Sequence, residues 1–212
     1  MKVNKLKKLA IVVFLSVTLF AIGCARSNSP TPKAMSWSTP PAMQIDKNKK
    51  YTATIDTTMG SFKIQLLAQE SPLTVNNFVF LAKQGYYNGV IFHRIMKTFM
   101  IQTGDPTGTG SGDPGYSFAD ELPPKHPYDT GIVAMANSGA NTNGSQFFIC
   151  TGSQARNLDN YPNYTQFGQV IEGMDVVQKI ASVPVGPNPY NPRELSKPNE
   201  PPSIKSITIT EQ

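Results

Sequence analysis

Turn-forming residues cut the chain from residue 48 to 212 into short alternating runs, none long enough for more than a short helix. Residues 51–56 (YTATID) and 62–67 (FKIQLL) alternate on either side of TTMG, with Gly60 in the link. A period of two turns one row of side chains to a core and the other to water. Two such runs around a short Gly-containing link predict a β-hairpin. Runs at 90–96, 99–102, 131–136, 146–150, 167–171 and 205–210 read as further strands. Helix punctuation is confined to two places. In 71–85 (SPLTVNNFVFLAKQG), Ser71 is placed to cap, Pro72 to occupy the first turn and Gly85 to end the helix. Val75, Phe78, Val79 and Ala82 recur at three- and four-residue steps and form its apolar face. A second short helix is predicted over 174–182. Many short strands with few helices favour a mostly β barrel or sandwich over a parallel α/β sheet.

The first 47 residues are of another kind. Residues 1–8 (MKVNKLKK) are basic, and residues 9–22 are apolar apart from Ser16 and Thr18, with Gly23 and Cys24 following. An apolar run of that length suits a secretory signal and falls short of the roughly 20 residues a spanning helix needs. The stretch AIGC resembles the lipobox of bacterial lipoproteins, although Ala21 replaces the commoner Leu. The resemblance implies cleavage after residue 23, a lipid anchor on Cys24 and attachment to a bacterial envelope membrane. The alternative is an ordinary signal cut nearby. With Cys24 acylated, Cys150 is the only thiol left and no internal disulfide can form. Residues 24–47, rich in Pro and Ser, are expected to form a flexible tether in which Trp37 is a loose surface contact. A globular domain is expected over 48–212.

Charge and motif counts remove several chemistries. The chain carries 19 basic and 14 acidic residues, but Lys2, Lys5, Lys7 and Lys8 fall before residue 24, so the remainder is nearly neutral. No nucleic-acid surface is expected. Residues 104–115 (GDPTGTGSGDPG) are glycine-rich, but no Lys-Ser or Lys-Thr follows and Pro114 opposes a helix start. They read as an exposed loop rather than a phosphate cradle. There is no GxSxG for a nucleophile elbow. His93 and His126 with one spare cysteine are too few for a closed zinc site, so no metal and no cofactor are expected. His93 reads as a satisfied structural histidine and His126 as a loop residue. The proline-rich stretch 183–203 reads as an extended connector.

One constellation survives. FHRIMKTFMIQTGD places Arg94, Phe99, Met100 and Gln102 within nine residues, and MANSGANTNGSQFFICT follows from Met135. Together these closely resemble the cyclophilins, and the likeness covers nearly all of residues 48–212. It implies a closed eight-stranded antiparallel β-barrel capped by two α-helices, acting as a monomeric peptidyl-prolyl cis-trans isomerase on proline-containing polypeptides. Arg94 would be the catalytic arginine, with Phe99 and Gln102 beside it. Phe99, Met100, Phe148 and Leu158 would line the pocket for the proline ring. Gln102 and Gln146, with the backbone around Ala136 and Asn137, would hold the peptide, and Gly108 would border the next pocket. Asn157 stands where the best-known members often carry Trp, and Tyr164 where a His often closes the pocket. The first difference implies weak binding of cyclosporin-type macrocycles.

The residue types suit that chemistry. Rotation about an X-Pro bond meets a barrier of roughly 20 kcal/mol because the C–N bond is partly double. Twisting returns a lone pair to the proline nitrogen, so a donor aimed there binds the twisted state best. An always-charged guanidinium qualifies, and no nucleophile or general base is required. A binding module of the same fold with little turnover would need the pocket without the arginine. A solute-binding lipoprotein would need two α/β lobes and a longer chain.

Overall fold

A computed structural model describes residues 35–212. The signal segment 1–23, Cys24 and the first part of the expected tether lie outside the described residues.

Alternation over residues 51–66 gives a hairpin of β1 (Tyr51–Thr57) and β2 (Gly60–Leu66). Ala53, Ile55, Phe62 and Ile64 point inward and are fully buried. Then come helix α1 (Pro72–Lys83), β3 (Arg94–Met96), β4 (Met100–Thr103), β5 (Ile132–Met135) and β6 (Phe147–Cys150). A 3₁₀ stretch, Ser153–Asn160, leads to β7 (Gln166–Glu172) and helix α2 (Met174–Ala181). The chain ends with β8 (Val185–Asn188), β9 (Asn191–Pro198) and β10 (Ile204–Glu211).

Eight strands form one antiparallel sheet in the order β10-β1-β2-β7-β5-β6-β4-β3. The expected closed barrel is not formed. β3 and β10 remain the two edges of a curled half-barrel, and no ladder joins them. Only short contacts cross the gap: Gly89 N–H donates to Ile204 O (2.7 Å), Ile204 N–H to Val90 O (2.9 Å), and Phe92 N–H to Pro202 O (2.9 Å). Residues 90–92, expected as strand, are spent on this seam, so β3 is only three residues long. The concave side holds the main core, where Phe78, Phe147 and Phe167 pack ring against ring at 5.3–6.0 Å.

The expected face of α1 is buried, but its cap differs from expectation. Ser71 makes no capping bond and instead donates to Gln166 O (2.6 Å). The orphan N–H groups of Leu73 and Thr74 donate to the Glu121 carboxylate (3.0 and 2.9 Å). A carboxylate suits the positive end of a helix.

Two low-complexity segments are more ordered than their composition suggests. Residues 35–47 are not a loose tether. Trp37 sits edge-on to Phe80 at 5.2 Å and its backbone N–H donates to Pro114 O (2.8 Å), while Asn76 of α1 binds Gln44 and Ala42. The proline-rich stretch read as a connector folds back as the β8–β9 hairpin. Pro187, Pro192 and Pro198 sit in this two-stranded sheet with free edges, where a missing N–H costs little.

Candidate active site

In an antiparallel ladder, directly opposed residues share a face. Arg94 opposes Gln102, Gln102 opposes Phe148, and Phe148 opposes Ala134, so these four form one row across β3, β4, β6 and β5. Met96, Met100 and Cys150 form the next row on that face. The intervening Ile95, Ile101, Ile149 and Val133 belong to the main core. One face of these strands is therefore sealed, and the other carries a second apolar cluster.

That outer cluster surrounds a hollow of about 220 Å³. Phe99, Met100 and Phe148 supply apolar wall, and Leu158 arrives from the 3₁₀ stretch. Tyr164 stands edge-on to Phe148 with ring centres 5.5 Å apart. Ala136 and Asn137 close one end, and Arg94 and Gln102 form the polar rim. Nine residues separated by up to 70 positions thus meet in one hollow, all of them candidates from the sequence.

Arg94 has a partner that the sequence did not reveal. Its Nε donates to Glu194 Oε1 and its Nη2 to Glu194 Oε2, both at 2.8 Å. Nη1 faces Gln102 Oε1 at 3.5 Å, which is a weak contact. Glu194 lies on β9, and Ser196 Oγ (2.5 Å) and Asn188 Nδ2 (3.2 Å) donate to the same carboxylate. The Arg94 bonds, with help from Ser196, push its carboxyl down to about 2 against the opposing effect of burial.

The family model for cyclophilin type peptidyl-prolyl cis-trans isomerase/CLD matches residues 52–209. The chain belongs to this family. It is 52% identical over 133 residues to peptidyl-prolyl cis-trans isomerase-like 1 of Aspergillus fumigatus, covering 60% of this chain and 80% of that protein. It is 48% identical over 165 residues to peptidylprolyl isomerase domain and WD repeat-containing protein 1 of Mus musculus. That match takes in 74% of this chain but only 24% of the mouse protein. The crystal structure of a cyclophilin type isomerase from Cryptosporidium parvum matches with TM-score 0.67 at 36% identity, covering 77% of this chain and 99% of that one. A second structure of that protein, in the presence of the dipeptide Ala-Pro, gives TM-score 0.66 at the same identity, covering 76% and 99%.

The remaining site candidates of this cyclophilin lie beside the hollow. Gln146 lines an adjoining hollow of about 280 Å³. Its amide is already committed: Nε2 donates to Gly110 O (3.0 Å) and Gly112 O (2.9 Å), while Oε1 accepts from Gln102 (3.0 Å). It braces Gln102 against the glycine-rich loop. The Asn137 side chain is likewise engaged, donating to Asn163 O (2.8 Å). Gly108 borders a groove on the other side of Arg94, between the glycine-rich loop and the hairpin. Asn157 is exposed on the 3₁₀ stretch.

The glycine-rich loop is wound around a fully buried carboxylate rather than loose in solvent. Asp105 accepts from Thr107 N–H (2.7 Å), Thr107 Oγ1 (2.7 Å) and Gly110 N–H (2.6 Å). Burial pushes its carboxyl up, but the Thr107 and loop-backbone donors outweigh that and hold it below its usual value. A side chain on Gly112 would collide with Asp105 Oδ1, so only glycine allows the loop to close around the acid.

Three supporting features escaped the sequence reading. Tyr128, fully buried, donates to Tyr164 O (2.6 Å) and accepts from Tyr164 N–H (3.2 Å), fixing the ring that walls the hollow. Its only signal was an aromatic residue inside a polar loop. Glu194 was hidden among prolines, and Asp105 among glycines. His93, expected to be satisfied, has no partner for either ring nitrogen. Burial lowers its pKa and Arg94 adds to the fall, against a smaller rise from Asp105. His126 is in a loop as expected and meets Glu70 at 3.0 Å. Burial pushes the Cys150 thiol up to about 12, so it stays protonated at neutral pH. Among the described residues no group of three or more His, Cys, Asp or Glu could hold a metal ion.

Proposed function

We propose that this cyclophilin accelerates rotation about X-Pro bonds by hydrogen-bond donation from Arg94 to the proline nitrogen as it becomes pyramidal. The observation that carries the reading is the sharing of one hollow by the Arg94 guanidinium and the apolar wall of Phe99, Met100 and Phe148. The wall takes the proline ring and excludes water. In that less polar setting a fixed donor gains strength toward the twisted state. No bond is made or broken and no net proton moves, in keeping with a hollow that holds no paired acid and base. The Ala-Pro dipeptide used with the Cryptosporidium parvum relative supports a proline-containing substrate.

Arg94→Ala is expected to lower kcat/KM for a proline tetrapeptide by about 10²–10³, the usual cost of losing a well-placed donor. An unchanged rate in a folded variant would remove Arg94 from its role. That result would favour a proline-peptide binding module.

The setting is proposed from residues 1–24 alone: export, cleavage before Cys24, and a lipid anchor that holds a single isomerase domain where exported chains emerge. Mass spectrometry of the mature N-terminus would test it. An unacylated or uncleaved terminus would overturn the anchor.

A further inference from the structure

Arg94 lies on β3, an edge strand, and its side chain is 30% exposed. A guanidinium on a long stem at such a place has many orientations open to it. Catalysis by donation needs only one of them.

Glu194 is the partner that selects it. The contacts of Arg94 with Gln102 Oε1 and Met96 Sδ are both 3.5 Å, whereas the two bonds to Glu194 are 2.8 Å. A two-pronged carboxylate–guanidinium pair fixes the plane of the guanidinium as well as its position. The pair occupies Nε and one side of Nη2 and leaves Nη1 facing Gln102, in the row that leads to Phe148. The carboxylate is itself held from two sides, by Ser196 on its own strand and Asn188 across the hairpin. With its carboxyl near 2, Glu194 stays ionised at any pH at which the enzyme would work.

From this geometry we infer that Glu194 is a positioning residue of the isomerase site. It acts through Arg94 by presenting Nη1 to the substrate's proline nitrogen, and the β8–β9 hairpin exists at this place to deliver it. The inference rests on the isomerase reading above. It assigns the carboxylate an orienting effect on the donor, as distinct from competition with substrate for it, because the prongs engaged are the two turned toward the hairpin.

The test is steady-state kinetics of the full chain on a proline tetrapeptide, for wild type, Glu194→Gln, Glu194→Ala, Arg94→Ala and the double variant Arg94→Ala/Glu194→Gln. Misplacing a catalytic group by about 1 Å can cost up to roughly 10² in rate. A fall in kcat of about tenfold is therefore expected for Glu194→Gln, and at least as much for Glu194→Ala, with KM within about twofold. Arg193→Ala, an exposed change on the same hairpin, leaves kcat unaltered. In the Arg94→Ala background, Glu194→Gln costs nothing further. A merely structural role would cost the same in both backgrounds. If Glu194→Ala does not fold, Glu194→Gln, matched in shape, carries the measurement. The Arg94 Nε–H resonance gives a second readout, slowly exchanging in wild type and lost into solvent exchange in the Gln variant.

Wild-type kcat in both variants, a rise in kcat, or a raised KM at constant kcat would each overturn the positioning role. If wild type is active, Arg94→Ala is impaired and the Glu194 variants match wild type, this inference alone fails. A wild type without isomerase activity overturns the isomerase reading and takes this inference with it.

Discussion

Two segments flank Arg94, and each is organised around one carboxylate. In the glycine-rich loop, the donors to Asp105 come from residues no more than seven positions away, and the acid is wholly buried. In the proline-rich hairpin, Glu194 reaches an arginine 100 positions earlier and keeps 18% of its side chain exposed. The first acid folds its own loop. The second ties its hairpin to a chemical group elsewhere. A carboxylate satisfied locally serves stability, whereas one satisfied at a distance places that distant group.

The largest stability effect is expected on the loop side. Asp105→Ala removes a buried acceptor shared by three donors of the exposed residues Thr107 and Gly110, and the expected loss is about 3 kcal/mol. Urea unfolding with an unchanged m-value would measure it. A loss under about 1 kcal/mol would mean that the loop does not depend on its acid.

A smaller effect is expected on the hairpin side, where the ion pair is partly open to solvent. Glu194→Ala should cost at most about 1 kcal/mol of stability, as half-exposed pairs do. Its large effect should fall on turnover. Equal stability losses at Asp105 and Glu194 would erase the distinction between the two acids.

Acid titration separates them more finely. Both carboxyls sit below their ordinary values in the fold, so both stabilise it at neutral pH, and that contribution is lost as pH falls. For Glu194 the window runs from its ordinary 4.5 down to about 2. Glu194→Gln should therefore unfold with a flatter pH dependence across that window. The curve for Asp105→Asn should flatten only at the lower end, where an aspartate protonates. Unfolding curves for Glu194→Gln that parallel wild type between pH 4.5 and 2 would show that the ion pair contributes nothing to stability.

Much of the fold was legible because it rests on local signals. Alternation marked β1, β2 and β10, short apolar runs between turn residues marked the other five strands of the main sheet, and Pro72 with Gly85 bracketed α1. The hollow was legible through resemblance, since Arg94, Phe99, Met100 and Phe148 fall in two long motifs that register brings together. What escaped was encoded in partners rather than in patterns. Nothing near Ser71 signals that Glu121 will cap α1, and nothing near Pro72 signals that Ser71 will turn to Gln166. The half-barrel was missed for a similar reason, because whether edge strands pair depends on how residues 89–92 and 202–204 meet across the sheet.

The order of residues alone settled which stretches become strand or helix and which side chains face inward, since period and turn chemistry act over a few positions. Tertiary structure alone decided that Glu194 grips Arg94, that Gln146 braces Gln102, and that residues 35–47 lie on α1. Each of these depends on groups distant in sequence arriving within hydrogen-bonding or van der Waals reach. That arrival is a property of the packed chain, and no segment carries it by itself.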